Sequence, residues 1–214
     1  TNLFVSARSN GVYKLCYSGT GNTDDFAAAV FSTEPVAGAP ITDIAFDGTN
    51  HWVTVGAQLY SGVLSNLSAY SSSDPAKPDS GTKPFGGLIY SSPQLIVSGG
   101  NGKLFSTSNG GATWSSAQAM DPIADPAVEL TTPLTSLMQA GTTIYVGTKG
   151  SGYVIVPGGD ITAAKRFDDP TINALYNGAV LSFYFDNDTN SLFACTYGSG
   201  LWRLDISSSL WKQE

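Results

Sequence analysis

The sequence predicts an all-β protein, and more narrowly a five-bladed β-propeller of four-stranded antiparallel blades. Three observations predict this fold class. A pattern of apolar runs returns at nearly even spacing along the 214 residues. Each repeat contains several short strand-like runs separated by turn residues, and no stretch of the sequence has the 3.6-residue periodicity of an amphipathic helix.

Each repeat is centred on a hairpin of two apolar runs. Five residues mark equivalent positions in the second run, at intervals of 47, 45, 49 and 48 residues: Tyr13, Tyr60, Phe105, Val154 and Trp202. Turns such as 47–50 and 186–190 are rich in Gly, Asp and Asn, which tolerate the positive φ that tight hairpins need. The five evenly spaced units predict five stacked blades.

A further strand-like run precedes each hairpin, and another follows it. The preceding runs are 41–46, 87–90, 134–138 and 180–185, and the following runs include 114–117 and 210–213. We name the four strands of a blade a to d from the axis outward. Leu3 already belongs to a strand b, so we expect the first blade to lack its innermost strand. The alternative is that the natural chain continues before Thr1, so that the sequence is a fragment of a longer protein.

We expect residues 1–214 to form a single domain. Its blades are predicted at about 1–34, 35–75, 76–120, 121–170 and 171–214.

The chain is 42% hydrophobic and 13% charged, which excludes a disordered protein. Its net charge of −7 argues against a nucleic-acid-binding surface, and no apolar run is long enough for a membrane span. Low charge with abundant Ser, Thr, Asn and Gly favours an exported protein, which we expect to be bacterial and monomeric.

Cys16 and Cys195 are the two cysteines of the chain. Two cysteines are too few for a disulfide framework, and they lack the spacing of a metal site. A disulfide that clasps the two ends of the fold remains open. We favour two buried thiols instead, because free cysteine is among the most buried residue types.

Residues 107–114 resemble an Asp-box, whose pattern is Ser/Thr-x-Asp-x-Gly-x-Thr-Trp, with Asn109 in place of the Asp. Residues 185–203 are similar to the Asp-rich turn, strand and Gly-x-Gly turn of the same repeats, and 207–211 keep a remnant of the box. The chain therefore resembles the Asp-box (BNR-repeat) β-propellers, and it resembles their exported bacterial members of unknown role more than true sialidases. The resemblance implies structural roles, in the hairpin between strands c and d, for Thr107, Asn109, Gly111, Thr113 and Trp114.

Enzymes of the sialidase type use three arginines around the substrate carboxylate, together with a Tyr/Glu pair and an Asp near the axis. This chain has three arginines in total, which are Arg8, Arg166 and Arg203, and its Glu residues lie at the terminus or in connections, so too little remains to assemble such a site. The single histidine, His51, makes a triad or a zinc site improbable. A glycosidase would need paired carboxylates at the channel. The turn at 186–190 offers Asp186 and Asp188 to Ca²⁺, but Asp and Asn are favoured in turns for conformational reasons alone. We expect no cofactor and favour a protein without catalytic activity.

Binding remains as the predicted function. The d–a connections at 72–85, 118–133 and 168–179 are long and contain several prolines, and long loops are often functional. These connections and the b–c turns are predicted to surround the mouth of the central channel. The candidate ligand-binding residues are Arg8, Asp43, Lys103, Lys149, Asp168, Asp169 and Tyr197.

The sequence thus predicts a non-catalytic binding or interaction module of an exported or cell-surface protein. Its partner would be a protein or a polar or carbohydrate ligand that binds on the loop face around the channel. The alternative is a carbohydrate-binding protein or a glycosidase-like enzyme with its site at the channel mouth.

Overall fold

A computed structural model shows five β-sheets that follow one another along the chain. It describes residues 41–63, 66–79, 81–123, 126–169 and 171–214, together with the backbone of the strands at 2–7, 11–16 and 30–31. The all-β fold with four-stranded antiparallel sheets is confirmed. The blade count of five stays a prediction, because the side chains of the first sheet lie outside the described residues.

The strands are numbered along the chain, and the first, second, third and fifth sheets pair consecutive strands. The first sheet has the three strands β1 (Asn2–Ala7), β2 (Gly11–Cys16) and β3 (Val30–Phe31). The second has β4 (Ile41–Phe46), β5 (His51–Val55), β6 (Gln58–Val63) and β7 (Asn66–Ala69). The third has β8 (Gly87–Ser91), β9 (Gln94–Ser98), β10 (Lys103–Thr107) and β11 (Ser115–Gln118).

The fourth sheet is built around β14 (Leu134–Ala140), β15 (Thr143–Thr148), β16 (Tyr153–Val156) and β17 (Lys165–Arg166). The fifth has β18 (Val180–Asp186), β19 (Ser191–Thr196), β20 (Leu201–Asp205) and β21 (Leu210–Gln213). The predicted innermost runs correspond to β4, β8, β14 and β18, within two residues at each end.

The fourth sheet has two more strands than the sequence predicts. The connection at 118–133 forms a small hairpin of β12 (Met120–Asp121) and β13 (Val128–Glu129). Strand β12 pairs in parallel with β17, so this connection extends the outer edge of the fourth sheet. Strands β12 and β13 of this connection therefore lie at the outer edge of the fourth sheet, because their backbone groups find partners there, whereas the sequence predicts the whole connection around the channel mouth.

The core consists of apolar side chains packed between neighbouring sheets. Trp52 and Leu59 of the second sheet contact Leu88, Val97 and Phe105 of the third. Similar clusters join the third sheet to the fourth and the fourth to the fifth. The hairpin strands β5, β9 and β10 are buried on both faces, as expected when sheets stack face to face.

Within the described residues, helical structure is confined to short segments in connections. Helix α1 (Asn173–Tyr176) lies in the connection before β18, and two 3-10 turns, Pro157–Gly159 and Ile161–Ala163, follow β16. The sequence shows no helical periodicity at these segments, because four residues are too few to show a 3.6-residue period. In the described part of the chain, no helix has the length and apolarity that a membrane crossing requires.

Candidate functional site

A cavity of about 550 Å³ opens where the innermost strands of four successive sheets begin. We call it the axial cavity. Its polar lining comes from the starts of β4, β14 and β18 and from two adjoining loops: Thr42, Asp43, Lys83, Thr135, Ser136, Lys149 and Ser182. Gly86 allows the wall to close, because a Cβ at this position would overlap the carbonyl oxygens of Leu134 and Thr135.

Three innermost strands contain a register shift close to their first residues. The shifts lie between Ile41 and Asp43, between Leu134 and Leu137, and between Val180 and Ser182. A bulge bends its strand and turns a side chain that would otherwise follow the pleat. Asp43, Ser136 and Ser182 all line the axial cavity at these shifts, so the same irregularity supplies polar groups from three sheets.

The Asp43 carboxylate links the second and third sheets. Its Oδ1 accepts the N–H of Ile44 at 2.8 Å, and its Oδ2 accepts the N–H of Leu88, on the next innermost strand, at 3.0 Å. Burial raises the pKa of the Asp43 carboxyl, and the two N–H donors oppose this effect without cancelling it. The hydroxyl of Thr135 makes the corresponding link to the fifth sheet by donating to the carbonyl of Val180 at 2.7 Å.

The raised pKa of Asp43 predicts a pH-dependent contribution to stability. The folded-state pKa of Asp43 lies above the unfolded value of 3.8, so the protonated Asp43 carboxyl stabilises the fold fully at a pH below 3.8. This stabilisation is lost as the pH rises through the folded-state pKa, because the buried carboxyl ionises. We therefore expect the unsubstituted protein to gain stability relative to Asp43→Asn on acidification from about pH 7 to about pH 3. Urea unfolding of both proteins at a series of pH values measures this difference, and a difference independent of pH would contradict the prediction.

The structure brings together only two of the residues predicted to bind a ligand. Asp43 and Lys149 line the axial cavity, and the Lys149 N–H donates to the carbonyl of Pro133 at 3.0 Å. Lys103 does not line it; its Nζ lies 5.5 Å from the centre of the Phe105 ring. Tyr197 is 77% exposed and also lies outside the lining. Arg8 lies outside the described residues.

Asp168 and Asp169 are not at the axial cavity either. Asp169 lines a separate groove between the fourth and fifth sheets, and Asp168 is the exposed residue before it. Sequence reasoning missed Lys83, Thr42, Thr135, Ser136 and Ser182. Alignment of the repeats could have found the polar residues at the second and third positions of the innermost strands, but Lys83 lies in a connection that varies between repeats.

The segment that resembles an Asp-box forms the turn between β10 and β11. Asn109 Oδ1 accepts the Thr113 N–H at 3.0 Å, and Asn109 Nδ2 donates to the Thr113 hydroxyl at 2.8 Å. The Thr107 hydroxyl accepts the N–H of Gly111 at 3.0 Å. The amide of Asn109 can therefore close the turn, and it adds a donor that the Asp of the family pattern lacks.

In the turn at 186–190, the carboxylate of Asp186 makes hydrogen bonds within the turn. Asp186 uses Oδ1 to accept the Asp188 N–H and Oδ2 to accept the Thr189 hydroxyl, at 3.0 and 2.6 Å. The described residues contain no group of three or more side chains suited to a metal ion.

Cys195 carries a free thiol and is exposed, which corrects the expectation of a buried thiol. It lies on the face of β19 opposite Ala194, which packs against the fourth sheet. The Cys16 side chain lies outside the described residues.

The stacked four-stranded sheets and the axial cavity define an all-β protein of the propeller type. The chain is similar in fold to the extracellular domain of BT4673 from B. thetaiotaomicron, with a TM-score of 0.67 and 16% identity. The match covers 100% of this chain and 26% of that one. It is also similar to PorZ, a surface component of the type-IX secretion system of Porphyromonas gingivalis. There the TM-score is 0.62 at 19% identity, over 100% of this chain and 32% of that one.

A third similar structure is YCF48 from Cyanidioschyzon merolae, with a TM-score of 0.58 and 13% identity over 100% of this chain and 69% of that one. The chain thus spans between a quarter and a third of the length of the first two structures. At these identities the likeness shows the fold alone. No protein-family profile matches the chain, and no curated protein matches it in sequence.

Proposed function

We propose that this chain is a non-catalytic binding module of an exported bacterial protein and that its ligand site is the axial cavity. The observation that carries the proposal is the convergence of Lys83, Lys149 and the hydroxyl groups of four further residues on one cavity at the ends of four sheets. Extracellular and surface proteins of bacteria among the similar structures support export.

The lining favours binding over glycoside hydrolysis. Hydrolysis of that kind uses two carboxyl groups, one as acid and the other as base or nucleophile. Asp43 is the one carboxylate among the described residues of the lining. Each of its oxygens already accepts a backbone N–H, from Ile44 on the same strand and from Leu88 on the neighbouring sheet, so it has a structural role at this position.

The charge of the lining indicates an acidic ligand group. The chain has ten Lys and Arg residues and a net charge of −7, yet two of its lysines meet at this one cavity. A carboxylate that enters the cavity would meet two lysines and the hydroxyl groups of Ser136 and Ser182. Such charge-assisted hydrogen bonds act against the overall repulsion between an anion and an acidic protein.

The double variant Lys83→Gln, Lys149→Gln tests the site. A fluorescent hexaglutamate peptide is expected to bind saturably, measured by fluorescence anisotropy, and the double variant is expected to lower its affinity about tenfold. Lys165→Gln is the matched control, because Lys165 is exposed on β17 and does not line the cavity. It removes the same kind of charge and is expected to change the affinity less than about twofold.

Equal losses in the double variant and in Lys165→Gln, or no saturable binding of the peptide, would contradict the proposal. Saturable binding of neutral maltohexaose alone would instead support the carbohydrate-binding alternative. Hydrolysis of a chromogenic glycoside that disappears in Asp43→Asn would show a catalytic function.

A further inference from the structure

A second cavity, of about 380 Å³, lies between the fourth and fifth sheets, away from the residues of the axial cavity. We call it the lateral groove. The residues on which its chemistry depends are Tyr145, Tyr153, Phe167, Asp169, Leu210 and Trp211. They come from β15, β16, the segment after β17, and β21, so the groove forms only when the two sheets pack together.

The wall of the groove is aromatic, and its rings are held in place. Tyr153 is 1% exposed and stacks on Phe167, with ring centres 4.7 Å apart and planes 18° apart. The Trp211 ring meets Tyr153 edge to face at 5.7 Å, and its indole N–H donates to the Tyr153 hydroxyl at 3.1 Å. Tyr145, Phe167 and Trp211 are only half-buried, so parts of three fixed rings face the groove.

The charge at the groove is negative. Asp169 Oδ1 accepts the N–H and the hydroxyl of Thr171, at 2.9 and 2.5 Å, and Oδ2 accepts no hydrogen bond from the described residues. Burial raises the pKa of the Tyr153 phenol, and the charges of Asp168 and Asp169 raise it further. Among its described lining residues the groove contains no Lys, Arg or His.

We infer that the lateral groove binds a lysine or arginine side chain that a partner protein presents. An ammonium or guanidinium group is attracted to the faces of aromatic rings, most strongly to Trp. The carboxylate of Asp169 supplies an ion pair at the rim. Leu210, which is 59% exposed beside the groove, offers apolar surface to the rest of the partner segment. This site is independent of the axial cavity, whose lining contains two lysines and one aspartate.

A sugar ring could also stack on these aromatic faces. The groove differs from a neutral sugar site in its charge, since Asp169 lines it and its described lining has no Lys, Arg or His. Complementary charge therefore favours a cationic side chain over an uncharged ring. A sugar is an outcome that the experiment must distinguish.

Calorimetric titration with the peptide acetyl-Gly-Ser-Lys-Gly-Arg-Ser-Gly-amide tests the inference on the whole chain. We expect saturable binding, and we expect Asp169→Asn to weaken it about fivefold. Asn can still accept the hydrogen bonds of Thr171, so this variant keeps the local turn. Glu129→Gln is the control: it removes one exposed carboxylate from β13, which does not line the groove, and should change the affinity less than about twofold.

Phe167→Leu examines the aromatic wall and is expected to weaken binding about threefold, provided that its thermal unfolding midpoint remains well above the titration temperature. A peptide with norleucine and citrulline in place of Lys and Arg should not bind. Equal weakening by Asp169→Asn and Glu129→Gln, or equal binding of the neutral peptide, would overturn the inference. So would binding of maltohexaose in place of the basic peptide, or no saturable binding below about 1 mM.

Discussion

Arg166→Met is expected to lower the free energy of unfolding by about 3–5 kcal/mol, since it removes a buried cation and leaves its partners unpaired. Arg166 is 8% exposed. Its Nη1 lies 2.6 Å from Asp121 Oδ2, its Nε donates to the carbonyl of Ser151, and its Nη2 donates to the carbonyl of Tyr176 and to Asn177 Oδ1. One side chain thus joins the added strand β12, the turn after β15 and the segment around α1.

The matched control is Arg203→Met. Arg203 Nε pairs with Glu214 Oε1, also at 2.6 Å, but these side chains are 40% and 41% exposed. Exposed pairs contribute little, so a loss of at most about 1 kcal/mol is expected. Urea unfolding of both variants measures the difference, and similar losses would show that Arg166 is not the structural centre that its contacts indicate. Each of these two arginines already has its own carboxylate partner, which also argues against an arginine cluster of the sialidase type.

The single substitution Trp114→Ala is also expected to lower the free energy of unfolding by about 3–5 kcal/mol. Trp114 is 6% exposed at the interface between the second and third sheets. Its ring lies edge to face against Trp52 and Tyr70, with centres 6.0 and 5.9 Å apart, and its indole N–H donates to the Tyr70 hydroxyl at 2.7 Å. Its backbone N–H donates to Asp74 Oδ2 at 2.7 Å, which holds the connection after β7 against the third sheet.

Trp114→Phe separates packing from hydrogen bonding. Phe keeps a ring at the interface and loses the indole donor, so a smaller loss of about 1–2 kcal/mol is expected. Thermal or urea unfolding of the two variants gives the comparison. If Trp114→Phe costs as much as Trp114→Ala, the contribution comes from the hydrogen bond rather than from the packed ring.

The resemblance to the Asp-box was informative about the turn at 107–114 but not about the function. Its local pattern predicts a hairpin with a packed Trp, and the structure has both. Because the Asn109 and Thr107 bonds span only a few residues, a short motif is sufficient to specify them. The resemblance carries no information about Lys83 or the lateral groove, which depend on contacts between different repeats.

The predicted ligand-binding residues do not all meet in the structure, and their role in binding stays a prediction. Asp43 and Lys149 line the axial cavity, and each lies at the beginning of an innermost strand or in a b–c turn, positions that the repeat defines. Asp169 lies at the lateral groove instead, and Lys103 and Tyr197 do not reach the lining of the axial cavity. The direction that a long connection takes after strand d depends on backbone partners elsewhere, as with Met120 and Lys165, which are 45 residues apart.

By itself the sequence determined the all-β class, the repeat and the limits of most strands, because alternating apolar runs and turn residues act over a few positions along the chain. The three-dimensional structure decided which side chains share a cavity. The bonds of Asp43 and Thr135 to neighbouring sheets and the aromatic wall of the lateral groove arise from packing between sheets. Such packing brings together residues that lie 40 or more positions apart, beyond the range over which a local pattern carries information.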